Sequence, residues 1–230
     1  MDASVLITGG TGGLGTAVTA TFLAAGWRVV VPWVTERELE RVQGQDRLEL
    51  VKADLFHPEA VAGAVGQAAG DAGAPLRAVV NLVGGFSGGS KVHETPVEDF
   101  ERQFRLNLRP AYLVTANAVP ALVAAGGGTI TCVSSRAALK PFSGAAGYIA
   151  SKAAVLAFAQ AVAVEYADDG VRCNAVLPSV IDTPGQRASA PGADFSKWVA
   201  PADIAAVIHF LSTDASRPIS GAGIPVYGRA

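Results

Sequence analysis

Seven short apolar runs rich in β-branched residues punctuate the chain, at residues 4–8, 28–34, 47–52, 77–83, 129–134, 171–177 and 223–227. The first six contain VLIT, VVVPWV, LELV, AVVNLV, ITCVS and VRCNAVL. Alanine-rich, helix-like stretches separate them. Largely continuous apolar strands alternating with helices predict a parallel sheet covered on both faces. The expected fold is therefore α/β: a doubly wound sheet of about seven parallel strands. No repeat, low-complexity tract or linker divides the chain, so residues 1–230 read as one domain.

The stretch from 148 to 166 is apolar almost all round. A helix of that kind is not a surface helix. One side can cover the sheet. The other calls for a second buried contact, most simply another subunit, and the apolar run near 108–123 points the same way.

Composition narrows the field. Half of the 230 residues are hydrophobic and 17% are charged, against a usual charged share of roughly 25%, so disorder is not expected. A net charge of −2 offers no basic footprint for nucleic acid and no cationic face for a membrane surface. Cys132 and Cys173 lie in apolar runs and read as core thiols of a reducing compartment. His57, His93 and His209 are scattered without ligand spacing, so no metal site is expected. The start, Met1-Asp2-Ala3-Ser4, lacks a basic n-region. Residues 110–135 carry no charge, but Asn117, Pro120 and Gly126-Gly127-Gly128 interrupt them. These features predict a soluble cytoplasmic protein.

Candidate chemistry begins at Thr8-Gly9-Gly10-Thr11-Gly12-Gly13-Leu14-Gly15, between the first strand and the first helix. Glycines there permit a tight turn and close backbone approach to a pyrophosphate. The following helix presents unpaired N–H groups to the anion. At the end of the second strand an acidic residue holds a ribose 2′-hydroxyl and an arginine accommodates a 2′-phosphate. Here that place is Trp33, with Glu36 and Arg37 close by and opposite in implication. Asp54 fits an acceptor for the adenine amino group or a cap for the helix near Pro58.

Tyr148 and Lys152 stand four apart on a predicted helix and so share a face. An ammonium beside a phenol favours the phenolate, which suits a proton donor and acceptor. Ser135, thirteen residues earlier at a strand end, lies at the edge where parallel sheets bind ligands.

Over essentially its whole length the chain resembles the short-chain dehydrogenases/reductases. The resemblance rests on the Thr8–Gly15 loop, Asp54, Asn81-Leu82-Val83-Gly84, Asn107, Ser135, Tyr148-x-x-Ser151-Lys152 and Pro178-Ser179-Val180-Ile181-Asp182-Thr183. It implies a single Rossmann domain of the short branch, and hydride transfer between NAD(P) and a carbonyl or alcohol. Tyr148 is then the general acid/base. Lys152 lowers its pKa and holds the nicotinamide ribose, Ser135 orients the substrate oxygen, and Asn107 holds a water of a proton relay. The implied cofactor surface comprises Gly9, Thr11, Gly13, Leu14, Gly15, Trp33, Asp54, Leu55, Asn81, Gly84, Pro178, Ile181 and Thr183 with Tyr148 and Lys152. Ser179 and Leu82-Val83 depart from the family pattern at backbone-geometry positions. The resemblance also implies a homo-oligomer, a tetramer packed through the two apolar helices.

Locally, Gly84–Gly89 and the segment from Leu177 to Trp198 are similar to dihydropteridine reductases, which lack the counterparts of Ser135 and Asn107. Reduction of a quinonoid pterin-like ring is thus one alternative, and a non-catalytic dinucleotide-binding sensor is another. Residues 184–200 are expected to form a substrate lid, with Phe86, Phe142, Arg187 and Trp198 facing the substrate; aromatic anchoring of the lid is the competing reading. The missing carboxylate at Trp33 leaves NADP or NAD as cofactor, with a slight lean to NADP.

Overall fold

The computed structural model describes residues 2–42 and 44–229. Seven strands form one parallel sheet: β1 (Ser4–Thr8), β2 (Arg28–Trp33), β3 (Leu48–Lys52), β4 (Leu76–Asn81), β5 (Gly128–Val133), β6 (Val171–Pro178) and β7 (Gly223–Val226). Their order is β3-β2-β1-β4-β5-β6-β7. The chain winds outward from β1 to β3, then crosses back to lay β4 on the other side of β1. This reversal opens a crevice at the C-terminal ends of β1 and β4, the place where such sheets bind ligands.

The strand runs are apolar because both faces are covered. On one side, α2 (Pro58–Ala69), α4 (Arg109–Ala124) and α5 (Ala146–Glu165) pack Val65, Val114, Leu122, Val155 and Val162 against Leu6, Val79, Ile130 and Cys173. On the other, α1 (Gly15–Ala24) and α7 (Pro201–Leu211) pack Val18, Phe22, Ile204 and Ile208 against Val5, Ile7, Val29 and Val80. Two further helices, α3 (Val97–Asn107) and α6 (Pro184–Ser189), flank the crevice. Both cysteines are buried free thiols.

Strand limits fall within two residues of those expected. The fourth strand stops at Asn81, and Leu82 and Val83 leave the ladder to line the crevice. The second stops at Trp33, and Val34 is exposed.

The 20 residues of α5, with a mean hydropathy of 1.5, match a membrane span in length and composition. In this fold one side of α5 lies against β5 and β6. Its other side carries Ala157, Gln160, Ala161 and Val164, all exposed, Val164 to 79%. The second burial that its composition calls for is thus not supplied by the described residues of the chain.

Candidate active site

The crevice is a groove of about 980 Å³. Its floor at one end is the glycine loop. Gly9 adopts φ +67°, which turns the chain out of β1, and its carbonyl accepts from Gly12 N at 3.0 Å. A Cβ at Gly15 would drive into that same carbonyl oxygen, so only glycine can open α1 here. No side chain caps the N-terminus of α1. The N–H groups of Thr16, Ala17 and Val18 are taken by the carbonyls of Gly12 and Leu14, whereas among the described residues no partner takes those of Gly13, Leu14 and Gly15, as an anion site requires.

The groove end beside β2 differs from the sequence expectation in its charged residues. Residues Glu36–Arg41 form a 3₁₀ turn, in which positions three apart stack on one side. Glu38 and Arg41 therefore turn together toward the loop, while Glu36 and Arg37 are exposed and outside the groove wall. The Thr11 hydroxyl donates to Glu38 Oε2 at 2.8 Å, and Arg41 donates to the Thr11 carbonyl at 3.2 Å. Sequence reasoning missed both residues; the i, i+3 phase of a tight turn is the signal that finds them. Trp33 lines the groove, with Lys52 Nζ 5.5 Å from its ring centroid. Asp54 also lines it. Its carboxylate accepts from Phe56 N at 3.0 Å, and the cap position of α2 is His57. The helix-cap alternative for Asp54 is thereby removed.

The reactive end is built by β5, α3 and α5. Ser135, two residues past the end of β5, accepts from Ala137 N at 3.1 Å and stands with Tyr148 in the groove wall. Lys152 is one turn further along α5 and only 6% exposed. Its ammonium donates to the Val133 carbonyl at 3.0 Å, and its own carbonyl accepts from the Ser134 hydroxyl at 2.7 Å. Asn107, fully buried at the end of α3, accepts from Gly85 N at 2.9 Å and donates to Ser151 Oγ at 3.1 Å. Ser151 in turn donates to the Tyr148 carbonyl at 2.8 Å. A Cβ at Gly84 would come within 2.6 Å of Asn107 Oδ1 and 3.1 Å of Lys152 Nζ, so glycine is needed there too. Asn81 lies behind the wall, donating to Thr115 Oγ1 at 3.2 Å.

Burial dominates the titration of Tyr148 and of Lys152. The Tyr148 phenol is pushed above its ordinary value by burial, with the Ser135 hydroxyl pulling the other way. Burial lowers Lys152 from 10.5 to about 8. The ammonium points at a backbone carbonyl, and desolvation of the phenol dominates its titration.

Beside Tyr148, Phe86 stands edge-on to the phenol ring with centroids 5.0 Å apart, and Phe142 lies 6.2 Å from Phe86. Both are largely exposed and line the groove with Lys140, Pro141 and Gln186. Arg187 and Trp198 do not line it. Arg187 makes a bidentate pair with Asp182 at 2.5 and 2.7 Å and covers the Phe195 ring, against which Trp198 also packs. The charge of Arg187 is matched by Asp182, and Phe195 and Trp198 pack on each other within the same segment. Leu55, Pro178, Ile181 and Thr183 do line the groove, together with Gly13 and Leu14.

A sequence profile of the short chain dehydrogenases matches residues 3–193. The chain belongs to that family. This short-chain dehydrogenase is 34% identical over 192 residues to the 2-(R)-hydroxypropyl-CoM dehydrogenase of Xanthobacter autotrophicus, covering 80% of the chain and 76% of the relative. It is 31% identical over 241 residues to the 2,5-dichloro-2,5-cyclohexadiene-1,4-diol dehydrogenase LinX of Sphingobium indicum, with 97% and 94% covered. The structure of ElxO with NADP bound superposes with a TM-score of 0.91 at 25% identity, covering 99% of this chain and 98% of that one. The short-chain dehydrogenase described here is thus an oxidoreductase that moves a hydride between a nicotinamide dinucleotide and an alcohol or carbonyl compound.

Proposed function

We propose that the groove seats the dinucleotide with its pyrophosphate on the glycine loop and its nicotinamide beside Tyr148, and that Tyr148 is the general acid/base. One observation carries this reading. The uncapped N-terminus of α1 and the Ser135, Tyr148 and Lys152 side chains open into the same groove. The cradle fits the group, because a side chain at Gly15 or Gly84 would collide with the loop carbonyl or the Asn107–Lys152 pair. Bound there, the nicotinamide supplies or accepts the hydride. Ser135 holds the substrate oxygen. A phenol kept protonated by burial donates its proton to that oxygen as a carbonyl is reduced. Lys152, with a pKa of about 8, exchanges protons near neutral pH and returns one to the site. Ile181 and Thr183 flank the carboxamide position, and Asn107 fixes the turn that carries Tyr148 through Ser151.

The exposed Phe86–Phe142 wall fits a flat, ring-shaped alcohol or ketone. The aromatic residue at Trp33, with Lys52 and Arg41 nearby, supports a slight lean to NADP(H). The bare flank of α5, together with Tyr112 and Phe158 packed at the α4–α5 surface, supports a homotetramer built through those helices. Two buried free thiols suit a reducing cytoplasm.

The test is oxidation of NADPH and NADH against ring ketones, diketones, quinones and a quinonoid pterin, in the parent and in Tyr148→Phe. The variant is expected to lose turnover by about 100-fold or more while its dinucleotide affinity is nearly unchanged. Turnover close to the parent's would remove Tyr148 from the chemistry.

A further inference from the structure

The strand end that commonly carries a ribose-reading carboxylate holds an indole instead, yet the groove wall beside it is not free of negative charge. We infer that Glu38 sets the choice between the two dinucleotides. Its carboxylate favours a free 2′-hydroxyl and opposes a 2′-phosphate. This rests on the dinucleotide seat proposed above.

Three observations place Glu38 in that role. It lines the groove next to Thr11, Gly12, Trp33 and Val34. Its side chain is 34% exposed, so part of the carboxylate faces the groove. Its position is fixed from two sides: the Thr11 hydroxyl donates to Oε2 at 2.8 Å, and Arg41 stands 3.8 Å from Oε1. Thr11 itself is buried, and Arg41 holds its carbonyl at 3.2 Å. A carboxylate offers about four acceptor sites, so the bond from Thr11 leaves capacity for the hydroxyls of a ribose. The carboxylate is also oriented before any ligand arrives, which limits the ordering cost of binding.

Charge distribution adds the sign. Among the described residues, the charged side chains lining the adenosine half are Glu38 and Asp54, both acidic. Arg41 and Lys52 lie outside the groove lining, one on the Thr11 carbonyl and one over the Trp33 ring. They lower the potential cost of a phosphate without presenting a fork to it. Glu38 raises that cost. The two effects oppose each other, and discrimination in the parent is small because Arg41 offsets Glu38.

The experiment measures dissociation constants of NADP⁺ and NAD⁺ by titration calorimetry, with kcat/KM for the reduced forms alongside, in the full-length protein. Glu38→Gln keeps an acceptor for Thr11 and removes the charge. The ratio of the NAD⁺ to the NADP⁺ dissociation constant should rise about tenfold or more, through tighter NADP⁺. Arg41→Ala leaves Glu38 uncompensated and should move the ratio the other way. Both shifts should shrink as ionic strength rises, which a merely structural effect would not do. Glu36→Gln, on the same turn but outside the wall, should leave the ratio unmoved. An unchanged ratio in Glu38→Gln, or both variants moving it in the same direction, overturns the inference. Failure of the parent to bind either dinucleotide overturns the seat itself.

Discussion

Replacing Lys152 with methionine should destroy turnover and yet make the ligand-free protein more stable. The side chain is 6% exposed, and its ammonium has one backbone carbonyl as partner. Burial lowers its pKa from 10.5 to about 8. At about 1.4 kcal/mol per unit, keeping that proton at pH 7 costs the folded state about 3 kcal/mol. Lys152→Met removes the charge at similar volume. It also leaves the Val133 carbonyl without its donor, a loss of about 1 kcal/mol. The net gain is about 2 kcal/mol, or a Tm higher by about 4–8 °C in a chain of this size.

The pH dependence has a definite sign. The folded-state pKa is depressed, so between about pH 8 and 10.5 the unfolded chain holds a proton that the folded one has released. Parent stability therefore rises with pH through that window. The variant lacks the group, and its advantage should close over the same range. Urea unfolding of both proteins at pH 7, 8, 9 and 10 measures the difference. A variant less stable than the parent at pH 7, or an advantage that does not narrow above pH 8, refutes the reasoning.

Trp33→Asp should shift dinucleotide preference toward NAD(H) by about 1–3 kcal/mol, through a charge-assisted hydrogen bond gained and a phosphate repelled; kcat/KM for both cofactors in parent and variant measures it, and a shift toward NADP(H) counts against it. Val164→Glu places a charge on the bare flank of α5, 79% exposed in the single chain. It should leave the subunit folded by circular dichroism but reduce the assembled mass in light scattering, and an unaltered mass would locate the subunit contact elsewhere.

Much of the fold was legible because its strands are apolar on both faces. Runs such as Val5–Thr8 and Val29–Val31 have no polar side to confuse the period. The triad of Ser135, Tyr148 and Lys152 was legible from spacing, since a strand end and one helical turn fix their relative places. What escaped the sequence depends on local phase and on three-dimensional pairing. Glu38, and not Glu36, meets the loop because residues 36–41 wind as a 3₁₀ turn. Arg187 is matched by Asp182, five residues earlier, across the start of α6, and no pattern in composition announces that pair. The raised Tyr148 phenol follows from burial.

The crossover at β1 has a consequence for how the enzyme comes into being. β1 forms within the first eight residues, but its inner partner is β4, and Thr8 pairs with Asn81. Every pairing in this sheet joins parallel strands, so none can close through a tight hairpin. Loop-closure entropy must be met before each ladder contributes, which makes such topologies slow to fold. A nascent chain that stops short of β4 holds one edge of β1 open, although α1 and α2 are already present to cover its two faces. Ser135, Tyr148 and Thr183 come later still. Catalytic competence is therefore among the last properties the growing polypeptide acquires, and its N-terminal third is the part most exposed to aggregation on the ribosome.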